Sequence, residues 1–130
     1  MKKVFLSAIA MVFLAGCGQS PEEVVKSYVD SVGCKGDIEK GASLVYLSES
    51  QMKDEATKRK VESKLDSMSG TTTRDAMRRG GCKTIEITDK NIGKDAGRMK
   101  VKITFGDGTT EELDARVRKN HQGDWKVVWR

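Results

Sequence analysis

The chain predicts an α+β fold, helices first and an antiparallel sheet after them, on three observations. Apolar residues recur at helical spacing from Val24 to Met68. From Ile85 to Val117 they recur at every second position, and the change of period falls near Gly80-Gly81. Turn residues stand between the alternating runs, as in Gly106-Asp107-Gly108 and Asn120-His121-Gln122-Gly123. The expected architecture is a set of N-terminal helices packed on one face of a four-stranded meander.

A segment outside this fold comes first. Lys2 and Lys3 form a positive n-region, Val4 to Phe13 an apolar h-region, and Leu14-Ala15-Gly16-Cys17 closes it. Val4 to Gly16 is too short a helix, at ~1.5 Å per residue, to cross about 30 Å of hydrocarbon. Leu14-Ala15-Gly16-Cys17 resembles the lipobox of bacterial lipoprotein precursors. The resemblance implies a signal peptide over 1–16, cleavage before Cys17, diacylglycerol on its thiol and a further acyl chain, such as palmitate, on its amine. Residues 17–130 are then expected to form a single domain. Two or more chains, at about 0.8 kcal/mol per buried methylene, anchor a domain stably. The expected localisation is a membrane-anchored, exported protein; in a two-membrane cell Gly18, in place of an aspartate, implies the outer membrane, facing the periplasm.

Cysteine use agrees with export. Cys34 and Cys82 are left once Cys17 is lipidated, and an oxidising compartment favours a disulfide between them. A bridge closing about fifty residues stabilises a fold by ~4 kcal/mol in the chain-entropy model. No CxxC is present and the one histidine, His121, stands far along the chain, so no metal and no cofactor is expected. The formal charge of +5 falls to +3 once Lys2 and Lys3 leave, and the remaining cations are interleaved with acids. That pattern reads as a solvated surface and gives no expectation of nucleic-acid binding.

The elements follow in order. Ser20-Pro21-Glu22-Glu23 supplies an N-cap, a proline at the first helical position and a capping-box acid; Val24, Val25, Tyr28, Val29 and Val32 form the buried stripe, and Gly33 is expected to stop the helix just before Cys34. Asp37 caps a second helix carrying Ile38, Ala42, Leu44, Val45 and Leu47, with Gly41 as a weak point. A third helix runs from Ser50 to Met68 with Met52, Ala56, Val61, Leu65 and Met68 as a narrow stripe, ended by Ser69-Gly70, and Thr73 to Arg79 forms a short helical turn or a loop. Strands follow around Ile85 and Ile87, from Met99 to Phe105, around Leu113 to Val117, and from Asp124 to Arg130, with a turn at Asn91-Ile92-Gly93.

The second hairpin specifies its own register. An even-numbered loop would place the apolar sets of its two strands on opposite faces, so Gly106-Asp107-Gly108 must be a three-residue loop with Gly108 left-handed. Val101 then opposes Leu113, Met99 opposes Ala115, Lys102 opposes Glu112 and Lys100 opposes Asp114.

The lipobox, the run from Gly18 to Lys26, Gly36-Asp37 and Gly123-Asp124-Trp125-Lys126-Val127 together resemble the small bacterial lipoproteins of unknown function with a nuclear transport factor 2-like, or cystatin-like, domain. That likeness implies a strongly curved sheet around a cone-shaped interior, used by some relatives as a ligand pocket. Enzymes of the wider superfamily put acids, histidines or tyrosines in the cone. Here its expected lining is Met99, Val101, Ile103, Phe105, Leu113, Ala115 and Val117, which offers no proton donor or acceptor.

No catalytic set assembles elsewhere. Tyr28 and Asp30 are two apart on a helix and face different ways, so they and Tyr46 make no tyrosine–carboxylate site. Ser48 and Ser50 lack a histidine partner, His121 sits in a turn, and Gly106-Asp107-Gly108 leads into a strand where a phosphate loop would lead into a helix. The expectation is a protein that is not an enzyme, with a binding or accessory role toward an envelope protein, glycan or lipid. An inhibitor or immunity-like module against a secreted hydrolase is the alternative, and a small-molecule pocket enzyme comes third.

Overall fold

The computed structural model describes residues 19–128; the signal segment 1–16 and Cys17 lie outside them. Helix α1 spans Pro21–Tyr28 and opens with the expected capping box: Glu23 N–H donates to Ser20 Oγ at 3.2 Å, and Ser20 N–H to Glu23 Oε1 at 3.1 Å. Gly33 does not stop it. The chain winds on through a widened π-helical segment, Val29–Lys35, and the left-handed residue that ends it is Gly36, with φ 72°. Cys34 therefore lies inside the helical run. Thr72 Oγ1 donates to the Val32 carbonyl at 3.1 Å and Cys34 is bonded to the sheet, ties that outweigh the roughly 1 kcal/mol helix penalty of one glycine.

Helix α2, Ile38–Ser43, is capped by Asp37, whose Oδ1 accepts from Lys40 N–H at 3.2 Å. It is shorter than the sequence suggests. Leu44, Val45 and Leu47 leave the helix, and Leu44 to Tyr46 run beside the last strand: Val127 N–H donates to Leu44 O and Tyr46 N–H to Val127 O, both at 2.7 Å. This extended stretch satisfies backbone groups of the last strand that a helix would have left open.

The expected Ser50–Met68 helix is two helices. Helix α3, Glu49–Met52, has its own Ser48/Gln51 capping box, and Asp54 then caps α4, Glu55–Arg78, accepting from Ala56 N–H at 3.1 Å and Thr57 Oγ1 at 2.8 Å. Ser69-Gly70 does not end α4, which runs on through Arg78 so that the helical alternative for Thr73 to Arg79 is the one found, and Met68, expected in the buried stripe, is exposed. Ser69 and Ala76 are buried, so continuing the helix adds packing on the far side of Gly70.

The sheet is a four-stranded antiparallel meander in the order β1 (Cys82–Ile92), β2 (Ala96–Phe105), β3 (Thr110–Lys119) and β4 (Trp125–Val127). Asn91 and Ile92 belong to β1, and the first turn lies at 93–95. The β2–β3 register is the predicted one: Val101 opposes Leu113, Met99 opposes Ala115, Lys102 opposes Glu112, Lys100 opposes Asp114, and Gly108 has φ 88°. Irregular pairing of β1 between Cys82 and Thr84 and between Ile87 and Asp89 breaks up its free edge.

Two apolar clusters hold the layers together. The larger lies between α1 and the sheet and includes Val24, Val25, Val29, Leu44, Met99, Val101, Ile103, Phe105, Val117 and Val127. The smaller joins Val32, Val45, Val61 and Leu65, with Ile38, Ala42 and Leu47 against it. Tyr28 packs on both. Cys34 and Cys82 form the expected disulfide, Cα atoms 5.9 Å apart, tying the π-helical segment to the start of β1.

Candidate functional site

Most of the face of the sheet that meets the helices is filled, and an open recess of about 400 Å³ remains at its edge beside Tyr28, Leu113, Ala115 and Val127. Met99, Val101, Ile103, Phe105 and Val117 are buried there, Leu113 and Ala115 are half-buried, and none carries a group able to move a proton. The residues weighed as chemistry in the sequence do not converge. Tyr28 is half-buried at the junction of the two clusters, and burial raises its phenol pKa, keeping it neutral. Asp30 is paired with Lys35 at 3.0 Å, while the Tyr46 ring stacks under Arg118, 5.0 Å from the guanidinium carbon. Ser48 serves as an N-cap with Ser50 Oγ 3.3 Å away, and His121 is exposed in the β3–β4 turn. No cluster of three metal-ligating side chains occurs among the described residues.

The remaining perturbed carboxyls serve the architecture. Glu22 is held below the usual range by its hydrogen bond from Lys90. Asp54 is lowered by Thr57 and Asp107 by Thr109, each in a local cap or turn.

Another open recess is a cleft of about 240 Å³ beside the smaller cluster. Its floor is Ala42 from α2, Val45 and Leu47 from the stretch after it, Met52 from α3 and Val61 from α4. Its rim carries Glu39, Ser43, Lys58, Glu62, Asn120 and Lys126. Where α2 stops decides its shape, because Val45 and Leu47 reach this floor only by leaving the helix. An apolar floor with a few polar groups at its edge is the ordinary character of a small-ligand site. Sequence reasoning found Ala42, Val45, Leu47, Met52 and Val61 as apolar stripe residues and Asn120 as a turn residue, but not as one surface. Lys126 appeared only within the Gly123–Val127 stretch, with no role assigned to it.

Comparison with known proteins places this fold. The family described as "Domain of unknown function (DUF4878)" matches residues 15–128. A solved structure from Campylobacter jejuni, whose name proposes an NTF2-like transpeptidase, matches with TM-score 0.76 and 25% identity, covering 86% of this chain and 100% of that one. A de novo designed NTF2-fold protein, NT-9, matches at TM-score 0.47 and 14% identity over 86% of each chain. An uncharacterized cystatin-fold protein from Novosphingobium aromaticivorans matches at 0.39 and 15%, over 86% of this chain and 100% of that one. The fold is nuclear transport factor 2-like on the strength of the first. No protein of curated description matches the chain.

Proposed function

Because this chain belongs to the DUF4878 family of domains of unknown function, whose name supplies no activity, we propose from its sequence a lipid-anchored envelope protein and from its geometry a noncatalytic binding role. The observation that carries the binding role is the contrast between a sheet face lined with apolar side chains that move no proton and an open, apolar-floored cleft beside the smaller cluster. A protein selected for proton transfer in the cone keeps titratable groups there, where burial tunes them. A binding protein needs only a shaped recess. The anchor rests on Leu14-Ala15-Gly16-Cys17 and the short apolar stretch before it.

The name of the Campylobacter jejuni structure raises an enzymatic reading, since a transpeptidase needs an activated nucleophile. Cys34 and Cys82 are consumed by their disulfide, Ser48 serves as a cap, and His121 stands exposed in a turn of its own. That distribution favours binding. The test places a photocrosslinking residue at Leu47 in the lipidated protein in its native envelope, with a second one at Glu112 on the outer face of the sheet. The binding role predicts an adduct formed from Leu47 and absent from Glu112; adducts at neither position would reject it. For the anchor, Cys17→Ser should leave an uncleaved precursor or release the domain from the membrane fraction, and an unacylated wild-type N-terminus by intact mass would reject lipidation.

A further inference from the structure

One end of the cleft carries a hydrogen-bond donor that the fold does not use. Asn120 is only 7% exposed, and its Oδ1 accepts from the backbone N–H groups of Gln122 and Asp124, both at 2.9 Å. Those two bonds orient the amide, leaving Nδ2 turned away from the turn backbone with no acceptor among the described residues. Since no fully buried side-chain nitrogen or oxygen among the described residues lacks a partner, this NH2 group keeps an opening, and the cleft is the recess that Asn120 lines. A donor so deeply placed is costly unless an oxygen from outside the fold accepts from it.

Lys126 stands at the same end. Its Nζ donates to the Ser43 carbonyl at 2.8 Å, a neutral partner, and no carboxylate lies within ion-pair distance of it among the described residues. Two of its three ammonium protons remain available. The hairpin end of the cleft thus offers a buried amide donor and an uncompensated cation, a combination that selects an anionic oxygen. The rim's other cation, Lys58, is already paired with Glu55 at 3.8 Å, and Glu39 and Glu62 are acids, so the rim provides for one anionic group and not two. Behind the polar end lie only Ala42, Val45, Leu47, Met52 and Val61. At ~30 Å³ for a water-sized group, a volume of 240 Å³ holds about eight such groups.

We propose that this cleft binds a monocarboxylate with a medium-length aliphatic chain. The carboxylate accepts from Asn120 Nδ2 and Lys126 Nζ, and the chain lies on Val45, Leu47, Met52 and Val61. The assignment rests on the binding role given above and names the ligand class of the same cleft. Medium-chain fatty acids have this chemistry.

The test uses the lipidated full chain in its native membrane. An octanoate analogue carrying a diazirine on its chain is added, irradiated and mapped by peptide mass spectrometry. Label should fall on Leu47, Met52 or Val61, be displaced by excess octanoate, and drop about tenfold when the analogue is the corresponding alcohol. Lys126→Gln should lower acid labelling by about threefold or more while leaving the weak alcohol labelling unchanged. Met52→Trp, a substitution at a half-buried floor residue that fills the cleft, should abolish both. Equal labelling by acid and alcohol, or labelling indifferent to Lys126→Gln and Met52→Trp, would overturn the assignment. If the Leu47 photocrosslinker captures an adduct while octanoate neither labels nor competes, the carboxylate is wrong and the binding role stands; without either signal, both fall.

Discussion

Gly41 shows how one missing side chain positions an element. A Cβ there would meet Val32 Cγ2 at 2.5 Å, so α2 lies closer to the π-helical segment than any other residue allows. Gly41→Ala gains about 1 kcal/mol of helix propensity but forces overpacking worth roughly 1–3 kcal/mol, and the second effect should win. Gly33, where an added Cβ has nothing within 4 Å, is the control. Urea melts should show Gly41→Ala destabilised and Gly33→Ala neutral or slightly stabilised. Glu22 and Lys90 tie α1 to β1, and the bond from Lys90 depresses the folded Glu22 pKa below its ordinary 4.5. A depressed carboxylate contributes stability above its unfolded pKa and loses it as pH falls through the folded value. Lys90→Met should therefore lower the melting temperature at pH 7, by the small amount expected of a solvent-screened pair, and have no such effect at pH 2.

At the scale of elements, the β2–β3 hairpin was legible to single-residue accuracy because its period-two pattern admits only one parity of loop. Gly108, with φ 88°, should tolerate valine poorly, at about 1–3 kcal/mol. Asp107 accepts from Thr109 N–H at 2.9 Å and Oγ1 at 2.6 Å, so Asp107→Ala should cost less, roughly 1 kcal/mol. A chemical-denaturation series ranking them the other way would reject the turn assignment. The helix ends were less legible. Gly33 and Ser69-Gly70 carry stop signals, yet both are overrun, because local propensities of about 1 kcal/mol yield to the disulfide, the Thr72–Val32 hydrogen bond and the burial of Ala76. The disulfide, with a sequence separation of 48, should be worth about 4 kcal/mol by loop closure; the Cys34→Ser/Cys82→Ser pair, compared by urea denaturation, measures it.

Across the whole molecule, the two apolar clusters meet through Tyr28 and should unfold together. Leu65, fully buried in the smaller cluster and remote in sequence from the sheet, tests this: Leu65→Ala should cost about 2–5 kcal/mol and shift the helical signal and the tryptophan fluorescence to one common lower midpoint. Separate midpoints would mean that the clusters are independent. The sequence by itself determined the α+β class, the order of helices and strands, the first capping box, the β2–β3 register and the pairing of Cys34 with Cys82, because each depends on residues whose local period, turn chemistry or redox setting admits few alternatives. Only the tertiary structure decided where α1 and α4 end, that Leu44 to Tyr46 extend along β4, and that Ala42, Val45, Leu47, Met52, Val61, Asn120 and Lys126 share one cleft. Those seven residues come from α2, the stretch after it, α3, α4 and the β3–β4 hairpin. No local pattern encodes a surface whose parts meet only after the chain has folded, since its free energy resides in contacts between distant segments.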